Sequence, residues 1–512
     1  MALSHHNSKH RANLWIPMAA GLLTAFLCAV LASTRPLFHD EASTWYFTGF
    51  GLPHLFDRLR QDVHPPLYFL LSSAYFSIFG SSMEGLRLVS AVLMGAAVSV
   101  FCFTLRSAIP ALPRVVPFAL ATSPFLIFCG YFARYYSLTC LIGATVCWVL
   151  LQAVRSSKLS WHLFLGVLLA LAFLSNYAAA LILGLCLIPY LVHLIRRRQG
   201  ALIAACVLPG VVAGAAWMPV FVEQIRSDSA TRWTGESATA VPRLAKSLSY
   251  LVWCMAGSDG LAPWNPWAWP PVLILVALAV FGTWTGLRTA DAAVRVVTQG
   301  ALGVIGLGGL IGWLLLPGPM YIFLPPRIAL CGFAWLLLAV VVPLLAVQRR
   351  GLTSVVILSC HGIALMHLLV LQRSTNWAYQ IPAKQIAETA TSELRSNAPG
   401  GHVAYLPAKS LGNIRFYLET ESGGTSSAVL INPKAFPAEA SRIVVIRESR
   451  NEEWPPASAT GDASLPAPEG VWHKVSSVRF LTEDDSARRL KSLVTGRSVM
   501  PDKIRLDVWQ RE

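Results

Sequence analysis

The sequence predicts a mainly α-helical, polytopic membrane bundle of about eleven spanning helices, with a small C-terminal α/β domain outside the bilayer. Three observations predict it. The first is composition: 55% of the 512 residues are hydrophobic and 13% are charged, against about 25% charged in an ordinary soluble chain. The mean hydropathy is +0.55. A soluble globular enzyme, a disordered chain and a disulfide scaffold are excluded. The second is the placement of the acids: ten of the 26 fall before residue 372 and sixteen after it. The tail is therefore nearly charge-balanced. The third is the net charge of +15, which sits almost wholly in the apolar part as short clusters between apolar runs. That is a topology pattern. A nucleic-acid partner would need a basic face on a folded domain, and none is expected.

The spans follow from runs of about 20 apolar residues: 14–33, 85–105, 115–131, 136–153, 161–175, 177–195, 201–221, 271–287, 297–316, 328–347 and 352–371. The basic loops hold Lys9 and Arg11, Arg106 and Arg114, Arg155 and Lys158, Arg196-Arg197-Arg198, Arg288 and Arg295, and Arg349-Arg350. With these spans every such loop falls on the cytoplasmic side, provided that residues 65–80 do not cross. That segment opens on two prolines and reads as an interfacial or re-entrant helix. The first run carries a tolerable cleavage site at Val30-Leu31-Ala32, but its length favours an uncleaved anchor. Residues 1–371 then form a membrane region with a first outer loop over 34–84, and residues 372–512 a soluble outer domain. In the tail, 386–394 reads as an amphipathic helix, 402–406 and 442–446 as strands, and 454–470 as a loop rich in Pro, Ala and Ser. The ten cysteines lie between Cys28 and Cys360, mostly inside apolar runs, as small fillers.

Four acids of the membrane region share the first outer loop: Asp40, Glu41, Asp57 and Asp62. A single surface acid such as Asp57 reads as solvated loop. The pair in His39-Asp40-Glu41-Ala42, followed by Trp45-Tyr46-Phe47, is not generic. The loop closes on Asp62-Val63-His64-Pro65-Pro66-Leu67-Tyr68. Arg134 and Arg327 stand at the outer ends of apolar helices, where arginine is uncommon. Their planar forks suit a phosphate, and His64 is a third candidate donor. Each has a competing account: snorkelling for the arginines, a turn cap for His64, and orientation of a neighbour for Glu41. Asp62 is a candidate for acceptor binding, or for a divalent metal shared with Asp40 and His64. Two residues at that spacing are weak support, and no required cofactor is expected. Tyr68 and Tyr135 read as packing aromatics, and Trp253, Trp264, Trp267 and Trp269 as an interfacial belt.

In order, the Asp-Glu pair after the first span, His64-Pro65-Pro66-Leu67-Tyr68-Phe69, Phe79-Gly80, Arg87-Leu88-Val89-Ser90, Ala133-Arg134-Tyr135-Tyr136-Ser137-Leu138 and Leu324-Pro325-Pro326-Arg327 resemble the GT-C superfamily of integral-membrane glycosyltransferases. The closer likeness is to the bacterial branch related to protein O-mannosyltransferases and the aminoarabinose transferase of lipid A. The resemblance implies a GT-C bundle that moves a sugar from a polyprenyl-phosphate carrier to an envelope acceptor. It implies Asp40 as the catalytic acid with Glu41 beside it, and a lipid-phosphate leaving group that the candidate donors Arg327, Arg134 and His64 would hold. It also implies an inner-membrane protein with its tail in the periplasm. Two departures stand out. The turn at Cys129-Gly130-Tyr131-Phe132-Ala133 lacks the acid that many relatives carry, and Asn176-Tyr177 stands where some have His-Tyr. Two alternatives stay open: a transporter or flippase of lipid-linked sugars, and an inactive relative. The near absence of charge at helix centres weighs against transport.

Overall fold

The computed structural model describes residues 15–34, 37–80, 82–108, 114–227, 284, 287–288, 292–303, 383–394, 401–405, 412–421, 428–430, 440–449, 472–481 and 503–511. The chain divides into two compact units, residues 1–33 with 44–369 and residues 34–43 with 370–512.

The first unit is helical throughout its described residues. Helix α1 spans Trp15–Thr34. The segment expected as the first outer loop is largely helical: it folds as α2 (His39–Thr48), α3 (Leu52–Arg60) and α4 (Leu67–Phe79), the last matching the helix read over 65–80. Its breaks are set by sequence. Gly51 takes φ +88°, a conformation open to glycine. Pro65 and Pro66 force the chain out of the helical region before α4. Helix α4 has 13 residues, about 20 Å at 1.5 Å per residue and short of the roughly 30 Å hydrocarbon layer.

Helix α5 is Met83–Ala108, and a break then divides α6 (Val115–Ala121) from α7 (Pro124–Gly130). The continuous span expected over 115–131 is therefore corrected to two seven-residue helices. Pro124 is the cause, since it drives Ser123 to an extended φ −60°, ψ 118°. Helices α8 (Tyr136–Ser156), α9 (Leu159–Ser175), α10 (Tyr177–Arg196) and α11 (Gly200–Arg226) follow and match the expected runs. The Asn176 side chain caps α10 by accepting from the Ala179 N–H at 3.1 Å. Helix α12 covers Ala292–Gly303. The expected spans 271–287, 328–347 and 352–371, and the Trp253–Trp269 belt, lie outside the described residues or almost wholly so.

Five described helices (α1, α5, α8, α10 and α11) are long and apolar enough to cross a membrane. Their outward faces agree: Leu22, Phe26, Val92 and Leu208 are 71%, 63%, 64% and 59% exposed. Apolar surface of that kind is stable only against lipid or another protein. All seven described cysteines are buried.

Small residues set the closest approaches. A Cβ on Gly166 of α9 would collide with the carbonyl oxygens of Ala205 and Cys206 in α11. The α9–α11 contact is thus nearly backbone to backbone, and it fixes where the far end of α11 reaches.

In the second unit, a five-stranded sheet runs in the order β2-β1-β3-β5-β4. The strands are β1 (Gly401–Tyr405), β2 (Ala428–Leu430), β3 (Ala440–Ser449), β4 (Trp472–Leu481) and β5 (Lys503–Arg511). Strand β1 pairs in parallel with β2 and β3, while β5 pairs antiparallel with β3 and β4. Helices α13 (Ala383–Leu394) and α14 (Gly412–Glu421) flank β1 in sequence. Ala383, Ile386, Ala387, Ala390 and Leu394 form one stripe at helical spacing. They pack with Ile414 and Leu418 on Val444, Ile446, Phe480, Leu506 and Val508 of the sheet. Buried Arg442 meets Glu393 at 2.6 Å. The small α/β fold expected of the tail is present, with more strands than were legible.

Replacing Gly166 with Val should cost about 1–3 kcal/mol by overpacking, read as a lower thermal midpoint in detergent. An unchanged midpoint would mean that α9 and α11 do not meet there.

Candidate active site

The site grows from a turn that cannot be helical. The sequence Asp62-Val63-His64-Pro65-Pro66 separates α3 from α4. Beneath it lies an apolar cluster, with Leu55 and Leu59 of α3, Phe69 of α4 and Trp217 of α11 buried together and Phe47, Phe173 and Tyr177 packed against them.

On this base the His64 ring is held from both sides. Its Nδ1 lies 2.8 Å from Asp62 Oδ2, and its Nε2 lies 3.4 Å from Arg134 Nη2. A guanidinium only donates. The geometry therefore fits the tautomer in which Nδ1–H donates to Asp62 and Nε2 accepts from Arg134. Burial pushes the Asp62 carboxyl up. The hydrogen bonds from His64 and the Val63 N–H and the charge of Arg134 outweigh it and hold the group below the ordinary carboxylate value.

Arg134 is only 5% exposed. It stands in the turn between α7 and α8, where its backbone N–H closes on Phe132 O at 2.8 Å. Its Nη1 donates to Thr44 Oγ1 at 3.3 Å, and Thr44 in turn donates to Ala133 O at 3.2 Å. The guanidinium lies 5.9 Å from the centre of the Phe69 ring and 5.4 Å from that of Tyr135. Tyr135, read as a packing aromatic, also lies 5.4 Å from the His64 ring. The outcome is an imidazole and a guanidinium side by side between aromatic walls. Such an arrangement can hold an anion whose other end is apolar.

Asp40 and Glu41 open helix α2, one turn before Thr44. Asp40 is half-buried. Glu41 is fully buried, and its Oε2 accepts from the Phe38 N–H at 2.9 Å. That bond satisfies a helix-start donor and gives Glu41 a positioning role. Asp57, read as solvated, is exposed. Arg327 lies outside the described residues. Among the described residues no three His, Cys, Asp or Glu side chains gather as metal ligands. Asp62 and the His64 Nδ1 engage each other, and Nε2 faces a cation. Those two side chains as placed do not suit a divalent metal, and no step is derived through one.

Sequence reading missed the support beneath the turn. Gln224, near the end of α11, is 2% exposed. Its Nε2 donates to Leu59 O at 2.7 Å and to His64 O at 2.9 Å. Its Oε1 accepts from Tyr177 OH at 2.6 Å, and Tyr177 accepts from Trp217 Nε1 at 2.7 Å. One amide thus ties the turn to α10 and α11. A polar residue at the tail of an apolar run was the only signal, and it resembles an ordinary helix end.

Residues 63–221 match the family of dolichyl-phosphate-mannose-protein mannosyltransferases. The resemblance read in the sequence is borne out over that segment, which contains His64 and Arg134. Among solved structures, the chain is similar to ArnT from Cupriavidus metallidurans in the apo state. The identity is 14%, with 83% of this chain and 91% of that chain covered and a TM-score of 0.40. It is also similar to the same protein bound to undecaprenyl phosphate, at 12% identity, with 87% and 93% covered and a TM-score of 0.38. No curated protein matches the chain.

Two outcomes follow. Gln224→Leu strips partners from two carbonyls and a hydroxyl, and should cost at least about 2 kcal/mol by thermal unfolding. A neutral result would remove Gln224 as the support of the turn. Because the Asp62 pKa is depressed, its stabilisation is present above the ordinary carboxylate pKa and lost as pH falls through the lowered value. The stability gap between wild type and Asp62→Asn should be widest near pH 7 and close below roughly pH 4. A gap that stays constant with pH would contradict a hydrogen-bonded carboxylate at Asp62.

Proposed function

We propose that the chain is a membrane glycosyltransferase that takes a sugar from a polyprenyl-phosphate carrier and places it on an envelope acceptor: a protein, a lipid or a glycan. The observation that carries this reading is the paired imidazole and guanidinium of His64 and Arg134, walled by Phe69 and Tyr135. Both residues lie inside the segment that matches lipid-phosphate-sugar-dependent transferases.

The chemistry divides among few groups. An acceptor hydroxyl is a weak nucleophile, and a positioned base contributes about 10²–10⁴-fold. Asp40 is that base. As its carboxylate takes the hydroxyl proton, the acceptor oxygen forms a bond to the anomeric carbon. On the opposite face the bond from that carbon to the carrier phosphate breaks, and the configuration inverts. The carrier leaves as an anion. Arg134 and Arg327 stabilise the charge that develops on it, and the His64 ring, fixed by Asp62, orients the Arg134 guanidinium through Nε2. Glu41 holds the helix start that presents Asp40. The site faces the outer side of a bacterial inner membrane, with the N-terminus in the cytoplasm and the C-terminal domain in the periplasm.

The test supplies wild-type and Asp40→Asn membranes with a panel of labelled polyprenyl-phosphate sugars and envelope extract. Wild type should move label off one carrier, and Asp40→Asn should lose about 10²-fold or more. Equal transfer would remove Asp40 as base. No transfer from any carrier would contradict the assignment. Arg327→Ala should raise the donor KM, and unchanged donor kinetics would return Arg327 to helix anchoring.

A further inference from the structure

A second cationic cavity lies away from this site, between the C-terminal end of α10 and the start of α12. Its volume is about 530 Å³. One part of its wall is polar: His193 and Arg196 from α10, Arg295 and Gln299 from α12. Another part is apolar, with Val192 and Val296 among its residues. None of the described lining residues is acidic.

The sequence explains the juxtaposition. Arg196 ends an apolar run and opens the basic cluster with Arg197 and Arg198. Arg295 stands in the first turn of α12 and belongs to the separate basic cluster that Arg288 opens, nearly a hundred residues later. The packing of α10 on α12 brings the two clusters to one end of the bundle. Just before α12, the Arg288 guanidinium lies 3.7 Å from the centre of the Trp284 ring, and Trp284 is 57% exposed. Exposed Trp and Arg together are the side chains that settle at the headgroup level of a bilayer.

We propose that this cavity binds a phosphate-bearing anion, with the Arg196 and Arg295 guanidinium groups as its charged donors. His193 and Gln299 supply further polar contacts, and the valine side takes the adjoining apolar part of the ligand. Both arginines line the same cavity, so an anion placed there meets two guanidinium groups. Arginine forks match two phosphate oxygens at once. A basic pocket at one end of a helical bundle, with an apolar wall beside it, suits a phospholipid headgroup. A phospholipid and inorganic phosphate are the two sources of this chemistry.

The test uses the full chain purified in detergent, with lipid retention followed by native mass spectrometry. The probes are phosphatidylglycerol, phosphatidylcholine and inorganic phosphate. Wild type should retain phosphatidylglycerol over phosphatidylcholine. Arg196→Gln with Arg295→Gln should weaken that retention roughly thirtyfold, at about 1 kcal/mol per arginine. Arg196→Lys with Arg295→Lys should keep most of it, which separates lost charge from lost folding. If millimolar phosphate displaces the lipid, the site is one for free phosphate; if it does not, the headgroup is the ligand. Retention unchanged in the glutamine variant, with its thermal midpoint intact, would overturn the proposal. So would equal retention of the two lipids by wild type.

Discussion

A guanidinium cannot lose its water without partners, and the buried Arg134 side chain governs how the first unit is built around it. Its charge is met by a hydroxyl from α2, an imidazole from the turn before α4, and two aromatic faces. Every one of those groups must be delivered to one point from a different element. The Pro65-Pro66 pair ends the helical course that would carry His64 elsewhere. Pro124 breaks the apolar run that would otherwise carry the Arg134 turn past the end of α7. Gly166 lets α11 close on α9, so that Gln224 can reach the carbonyls under His64. An ionisable side chain set so deep in an apolar bundle is costly, and function is the usual reason for retaining it.

The arrangement also explains why Asp62 is not free for other chemistry. Its carboxylate fixes the His64 ring through Nδ1, leaving Nε2 as the face turned toward Arg134. An anion entering between the two would be met by one fixed cation and one ring whose orientation is already set. Little ordering would be needed at the moment of binding, and that preorganisation is where such sites gain their strength.

Much of this was legible in the sequence, and the reasons are physical. Apolar runs gave α1, α5 and α8 to α11, because a run long enough to cross a bilayer admits few other structures. Asp62, His64 and Arg134 stood out because charge is scarce in that region. Helices α2 and α3 of the first outer segment were not read because, at ten and nine residues, they are too short for a periodic pattern to stand out. Residues 115–131 were misread as one span because hydropathy does not register what Pro124 does to Ser123. Thr44 and Gln224 were invisible for another reason. A hydroxyl and an amide at helix ends are common, and only their partners, up to 165 residues away in the chain, give them a role. In the tail, the strand expected over 402–406 is β1, whereas β2 at the sheet edge was missed because it has only three residues.

The claim at the centre is that the His64–Arg134 pair is where the carrier's phosphate sits. It is tested most directly by measuring the affinity of unglycosylated polyprenyl phosphate for wild type and for Arg134→Gln, with thermal unfolding as the check on folding. The variant should bind roughly ten- to a hundredfold more weakly, as expected for the loss of a charged donor to a phosphate. Equal affinity in a folded variant would contradict it and leave Arg134 as a structural cation.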